Sequence, residues 1–132
     1  MTHAGIYGVH LLLFSRDPEA DRAFFRDVLN WRFVDAGEGW LIFSLPPTEL
    51  GVHPEEGSPA RQPGGHDRTS AMVYLMCGDL HATVEWLAAK GVFCTEAQDA
   101  GWGVTTTLRL PSGASLGLYQ PRHPLAIDPQ TA

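Results

Sequence analysis

His10, Glu49 and His53 supply two imidazoles and one carboxylate, the facial triad that suits non-haem iron. Glu49 and His53 stand four residues apart. On one strand that separation is roughly 13 Å at about 3.3 Å per residue, which only long side chains could close. A divalent metal ion on His10, Glu49 and His53 is therefore the alternative, and the absence of metal or other cofactor is the expectation. The plainer reading of His53 is a histidine hydrogen-bonded near a rim, with direct contact to a ligand next to it. No GxGxxG fingerprint, P-loop, GxSxG or HExxH occurs, so no catalytic residue is assigned. Glu96 and Asp99 near Trp102 read as a solvated loop. Cys77 and Cys94 form no CxxC pair and read as buried, reduced thiols. Trp40 and Trp102 each follow a Gly-rich turn at the start of a strand, while Trp86 falls within a helix. A pair of aromatic rims would give a flat ligand a stacking surface worth about 0.5–1.5 kcal/mol per ring pair beyond burial.

The elements that must carry these residues are written twice. His10-Leu-Leu-Leu-Phe-Ser-Arg-Asp17 and Met72-Val-Tyr-Leu-Met-Cys-Gly-Asp79 share one pattern, displaced by 62 residues. Glu49-Leu-Gly-Val-His53 and Ser115-Leu-Gly-Leu-Tyr119 repeat likewise, displaced by 66. Each copy of such a repeat is a supersecondary unit that buries its apolar face against the other. In the first copy, residues 8–14 read as a strand. Asp17-Pro18-Glu19 then starts a helix with an N-cap, a proline at N1 and an acid in the first turn, running to about Leu29. Short strands follow at 31–34, 40–45 and 49–53. The second copy has a strand at 72–77, an Asp79 cap, a helix closed by Gly91, and strands at 92–95, 104–110 and 115–120. The spacing predicts an α+β chain in which two βαβββ modules in tandem, 5–54 and 70–121, use mixed open sheets to form a cup. A linker at 54–70 and a Pro-rich tail at 122–132 complete one domain over 1–132.

Strand alternation separates two faces. Val9, Leu11 and Leu13, with Val73, Leu75 and Cys77, are aliphatic or small, as a surface under a helix should be. Leu50, Val52, Leu116 and Leu118 continue that set. The opposite face carries His10, Leu12 and Phe14; Met72, Tyr74 and Met76; Glu49, Gly51 and His53; and Ser115, Gly117 and Tyr119. An aromatic, thioether and polar face with two glycines suits a cavity lining better than a core. The predicted ligand-binding residues are His10, Phe14, Trp40, Glu49, Gly51, His53, Met72, Tyr74, Met76, Trp102, Gly117 and Tyr119.

With Phe24-Phe25, Val28-Leu29-Asn30-Trp31 and the ending Pro111-Ser-Gly-Ala-Ser-Leu-Gly-Leu-Tyr-Gln-Pro121, the paired modules resemble the vicinal oxygen chelate superfamily. That superfamily includes glyoxalase I, the bleomycin- and fosfomycin-resistance proteins and extradiol dioxygenases. The resemblance implies the cup-forming fold, and, in metal-dependent members, ligands from the first and last strands of each module. On this sequence those places are His10, Gly51, Met72 and Gly117. Glycine offers no donor and a thioether is too soft for Mg, Mn, Fe or Zn, so only His10 suits an ion.

Fifteen acidic against nine basic residues give a net charge of −6 with no basic run, which points away from nucleic acid and anionic membrane surfaces. No basic start leads into an apolar stretch, and none approaches ~18 apolar residues, so a cytoplasmic location is expected. The reading that follows is a homodimeric binding protein, without metal, for a small, flat, largely apolar ligand such as an antibiotic held by sequestration. The competing reading is a metal-dependent lyase, isomerase or dioxygenase of the same superfamily.

Overall fold

The computed structural model describes residues 5–54 and 69–127. Most of the expected linker, 55–68, and the tail beyond residue 127 lie outside them. The class is the expected α+β with open sheets. Helix α1, Pro18–Ala23, runs on into a π-helical turn over Phe24–Val28. Strands β1, Phe33–Asp35, and β2, Leu41–Phe43, form an antiparallel hairpin. Strand β3, Tyr74–Met76, leads into helix α2, Leu80–Ala89, followed by β4, Gln98–Asp99, β5, Gly103–Arg109, and β6, Ser115–Pro121. The last four strands make one sheet in the order β3-β6-β5-β4. In it β3 pairs parallel to β6, and β5 pairs antiparallel to both β6 and β4. The second module is thus a complete βαβββ unit.

Both helices start as their sequences dictate. Asp17 accepts the N–H of Ala20 at 3.2 Å with Pro18 at the first helical position, and Asp79 accepts that of Ala82 at 3.0 Å. Both caps satisfy amides that a helix start otherwise leaves unpaired. Asn30, at φ +57°, ends the first helix, and Gly91, at φ +82°, ends the second. The wide π-helical turn carries Phe24 and Phe25 into one buried cluster with Leu80, Leu87, Leu108, Leu110, Leu116 and Leu118. Val73, Leu75 and Cys77 pack against that cluster, so β3 and β6 turn their aliphatic face to the helices.

The first module departs from its expected strands. Residues 8–14 and 49–53 belong to no strand, and Val9, Leu50 and Val52 are 94%, 90% and 87% exposed. Alternation identifies which residues would face a core; it does not supply a neighbouring edge to pair with. Only the middle hairpin of that module forms, so the cup has one complete wall. The expected strand at 92–95 is reduced to a single bridge between Cys94 and Leu108, and β4 forms just after it. No described helix is long and apolar enough to cross a membrane.

A buried carboxylate fastens the two halves. Asp21 on α1 is 6% exposed and accepts three hydrogen bonds. They come from the Ser112 N–H at 3.0 Å, the Ser112 hydroxyl at 2.7 Å and the Ser15 hydroxyl at 2.6 Å. A buried carboxylate persists when its oxygens are satisfied in this way. The tie holds α1 to the turn between β5 and β6.

Candidate functional site

The sheet face turned away from the helices carries three aromatic rings. Tyr74 and Gly117 are register partners across β3 and β6, as are Met76 and Tyr119. The Tyr74 ring lies directly on Gly117, where any Cβ would collide with it. Tyr119 leans toward Gly103, whose added Cβ would stand 2.9 Å from the Tyr119 ring and 2.8 Å from the Gln120 carbonyl oxygen. Two glycines in neighbouring strands therefore act as seats for two tyrosines, the close approach for which a strand glycine is used. Trp102, just before β5, completes the group. Its ring is 5.0 Å from Tyr119 and 5.9 Å from Tyr74, and Tyr74 is 5.6 Å from Tyr119, all edge to face. Tyr119 is 8% exposed, whereas Tyr74 and Trp102 present 38% and 41% of their surface to solvent.

Polar groups close one end of this floor. The Tyr119 hydroxyl is 2.9 Å from Nε2 of His123, and Nδ1 of His123 is 2.8 Å from the Pro124 carbonyl. A carbonyl can only accept, so Nδ1 carries the hydrogen; in the neutral ring Nε2 then accepts, and Tyr119 donates to it. Burial pushes the Tyr119 phenol above its ordinary value, and the nearby Glu49 carboxylate and Tyr74 add to the push. Tyr119 thus stays a neutral hydrogen-bond donor across the usual pH range. Glu49 itself accepts the N–H groups of Ala126 at 2.9 Å and Ile127 at 3.4 Å. Residues 122–127, read from sequence as the start of a loose tail, are held at three points: by Glu49, by Tyr119, and by an Arg122–Asp99 ion pair at 2.8 Å.

Of the predicted site residues, Tyr74, Trp102, Gly117 and Tyr119 meet on this floor, Glu49 reaches its edge, and Met76 lines the cavity beside it. His10, Phe14, Gly51, His53 and Met72 lie on exposed chain outside the named strands. Trp40 does not pair with Trp102; the Arg22 guanidinium covers its ring at 4.6 Å. His123 was missed because it sits between two prolines that read as tail, Pro121 and Pro124, although it stands only four residues after Tyr119. Trp86 sits at the edge of α2 under Lys90, as its place in the helix suggested. Cys77 and Cys94 are half-buried free thiols, and burial raises both above their ordinary value.

The described residues are not arranged to fit a divalent ion. The alternative triad His10, Glu49 and His53 does not assemble, because Glu49 is turned to the backbone of Ala126 and Ile127. Among the described residues no three His, Cys, Asp or Glu side chains are grouped to hold a metal. Of the four places His10, Gly51, Met72 and Gly117, the last has its space filled by the Tyr74 ring.

Comparison with known proteins agrees with this architecture. The description of the Glyoxalase/Bleomycin resistance protein/Dioxygenase superfamily matches residues 9–117. No curated protein sequence matches. Among solved structures, the protein SMU.1112c is similar with a TM-score of 0.57 and 16% identity, over 87% of this chain and 99% of its own. A lactoylglutathione lyase from Agrobacterium tumefaciens gives 0.52 and 18%, over 89% and 96%. TnmS3, an antibiotic binding protein from Streptomyces sp. CB03234, gives 0.51 and 20%, over 90% and 99%. At these identities the likeness extends to the fold alone.

Proposed function

The chain belongs to the glyoxalase/bleomycin resistance protein/dioxygenase superfamily, and from that premise we propose that it is a cytoplasmic binding protein that sequesters a flat, largely apolar compound, such as an antibiotic, without a metal ion. The observation that carries this reading is the aromatic floor: two strand glycines give up their side chains so that Tyr74 and Tyr119 can lie on the sheet beside Trp102. The exposed faces of Tyr74 and Trp102 offer the ligand a stacking surface. Neither the Tyr74 hydroxyl nor the Trp102 indole N–H bonds to another described residue, so each is a polar handle for orienting it. A net charge of −6 favours neutral or weakly cationic compounds. The fold likeness to an antibiotic binding protein is consistent with this use of the scaffold.

The protein is proposed to act as a homodimer. Val9, Leu50 and Val52 would leave three aliphatic side chains almost fully in water, and apolar surface of that kind is what an association covers. A second copy would bury them and complete the first module's wall.

The reading is tested by stability under linkage. A ligand at 100 times its dissociation constant stabilises by about 2.7 kcal/mol, so planar neutral aromatics should raise the unfolding midpoint while Zn, Mn or Fe(II) should not. Stoichiometric metal in the purified protein, with stabilisation by its return, would restore the metal-dependent enzyme.

A further inference from the structure

Past the end of the aromatic floor lies an open-sided cavity of about 340 Å³. Met76, Cys77 and Gly78, where β3 runs out toward α2, line it together with Gln120 and Pro121 at the end of β6 and with Leu125 and Ile127 beyond it. Leu125 and Ile127 belong to the six residues after β6, and the position of that segment is set by specific bonds. Glu49 holds the amides of Ala126 and Ile127, Tyr119 holds His123, and Asp99 holds Arg122. The ties bring one carboxylate from the first half of the chain onto a segment 77 residues further on.

The lining includes two sulfur atoms, a proline ring and two branched aliphatic side chains, with no charged group. Its polar side chain is that of Gln120. The Gln120 Oε1 accepts the Leu80 N–H at 2.9 Å, at the first turn of α2. Because a backbone N–H can only donate, that bond fixes the amide orientation and leaves the side-chain NH2 as an available donor. Apolar cavities of about 150 Å³ accept benzene, and ligand pockets start near 300 Å³. A bicyclic molecule is within the capacity of this one.

We propose that this cavity is a binding site for a small, uncharged, largely apolar molecule carrying one hydrogen-bond acceptor, which the Gln120 amide engages while Leu125 and Ile127 close over it. The site is separate from the Tyr74–Trp102–Tyr119 floor and stands on its own residues if ligand binding there fails.

Cys77 reports occupancy. In a Cys94→Ser protein it is the remaining thiol of the chain, and burial holds it above its ordinary value, so labelling with Ellman's reagent is followed at alkaline pH. The probes are 1-indanone, a bicyclic ketone, and indane, which lacks the oxygen. Indanone at ten times its dissociation constant should slow labelling about ten-fold by mass action, with indane weaker. Leu125→Trp, which fills the cavity, should abolish the dependence on indanone; Ile127→Trp serves the same purpose if the first variant does not fold. Labelling that is unchanged at every indanone concentration, or protection that survives the filled cavity, would overturn the site. Equal protection by indane would overturn the part given to Gln120.

Discussion

Leu116 and Leu118 in the second module are 4% and 2% exposed, whereas Leu50 and Val52, their counterparts in the first, are 90% and 87% exposed. The two segments share one pattern, with aliphatic residues on alternate positions around a glycine. They differ in what lies beside them: β6 runs between β3 and β5, while residues 49–53 join no strand edge among the described residues. Pattern alone therefore does not bury a strand; two edges and a covering helix do. The complete half carries the aromatic floor. The incomplete half contributes a helix and two carboxylates, Asp21 and Glu49, that fasten parts of the complete one.

The largest contrast should appear on truncating the aliphatic residues. Leu108→Ala, at 1% exposure, should cost about 2–5 kcal/mol in denaturant unfolding, while Leu50→Ala should leave the monomer within about 0.5 kcal/mol of the parent. If the proposed homodimer buries Leu50, that same variant should weaken self-association in analytical ultracentrifugation. Similar losses from both substitutions at monomeric concentrations would erase the distinction between the halves.

Asp21→Ala should come next, at about 1–3 kcal/mol, since it leaves the half-buried Ser112 N–H and hydroxyl without their acceptor. Its signature is loosening at the β5–β6 turn, seen as faster amide exchange at Ser112. Gly117→Ala should cost about 1–3 kcal/mol through the forced shift of the Tyr74 ring, and should alter the near-ultraviolet circular dichroism of the aromatic group. The smallest effect belongs to Asp99. The hydrogen bond from Arg122, helped by the Gly101 N–H, holds its carboxyl below the ordinary 3.8. A lowered folded-state value stabilises above 3.8, and that stabilisation fades as pH falls through the depressed value. Asp99→Asn should therefore melt slightly below the parent at neutral pH and converge with it as pH falls through the depressed value, which flattens the acid limb of the melting profile.

Local signals carried the helices and the second module. Asp17, Pro18, Asp79 and Gly91 have short-range physical roles that sequence states directly, and all four act as read. Parity placed Tyr74, Gly117 and Tyr119 on the face away from the helices for the same reason. What sequence did not contain was tertiary distance. It gave no sign that Glu49 would turn to Ala126, or that Asp21 would reach Ser112. Nor did it show that Trp40 would be covered by Arg22 rather than stand opposite Trp102. His123 was hidden by its proline-rich surroundings, which resemble a mobile end even where side chains tie it down.

The most direct test of the proposed binding role is a fluorescence titration with neutral planar bicyclic and tricyclic aromatics, after dialysis against a chelator. It compares the parent protein with Trp102→Phe and Trp40→Phe. Saturable quenching that persists in Trp40→Phe, is lost in Trp102→Phe and is indifferent to the chelator is the expected result. Quenching that persists in Trp102→Phe and is lost in Trp40→Phe, or that returns only when a divalent metal is added, would contradict a metal-free site on the second module's aromatic floor.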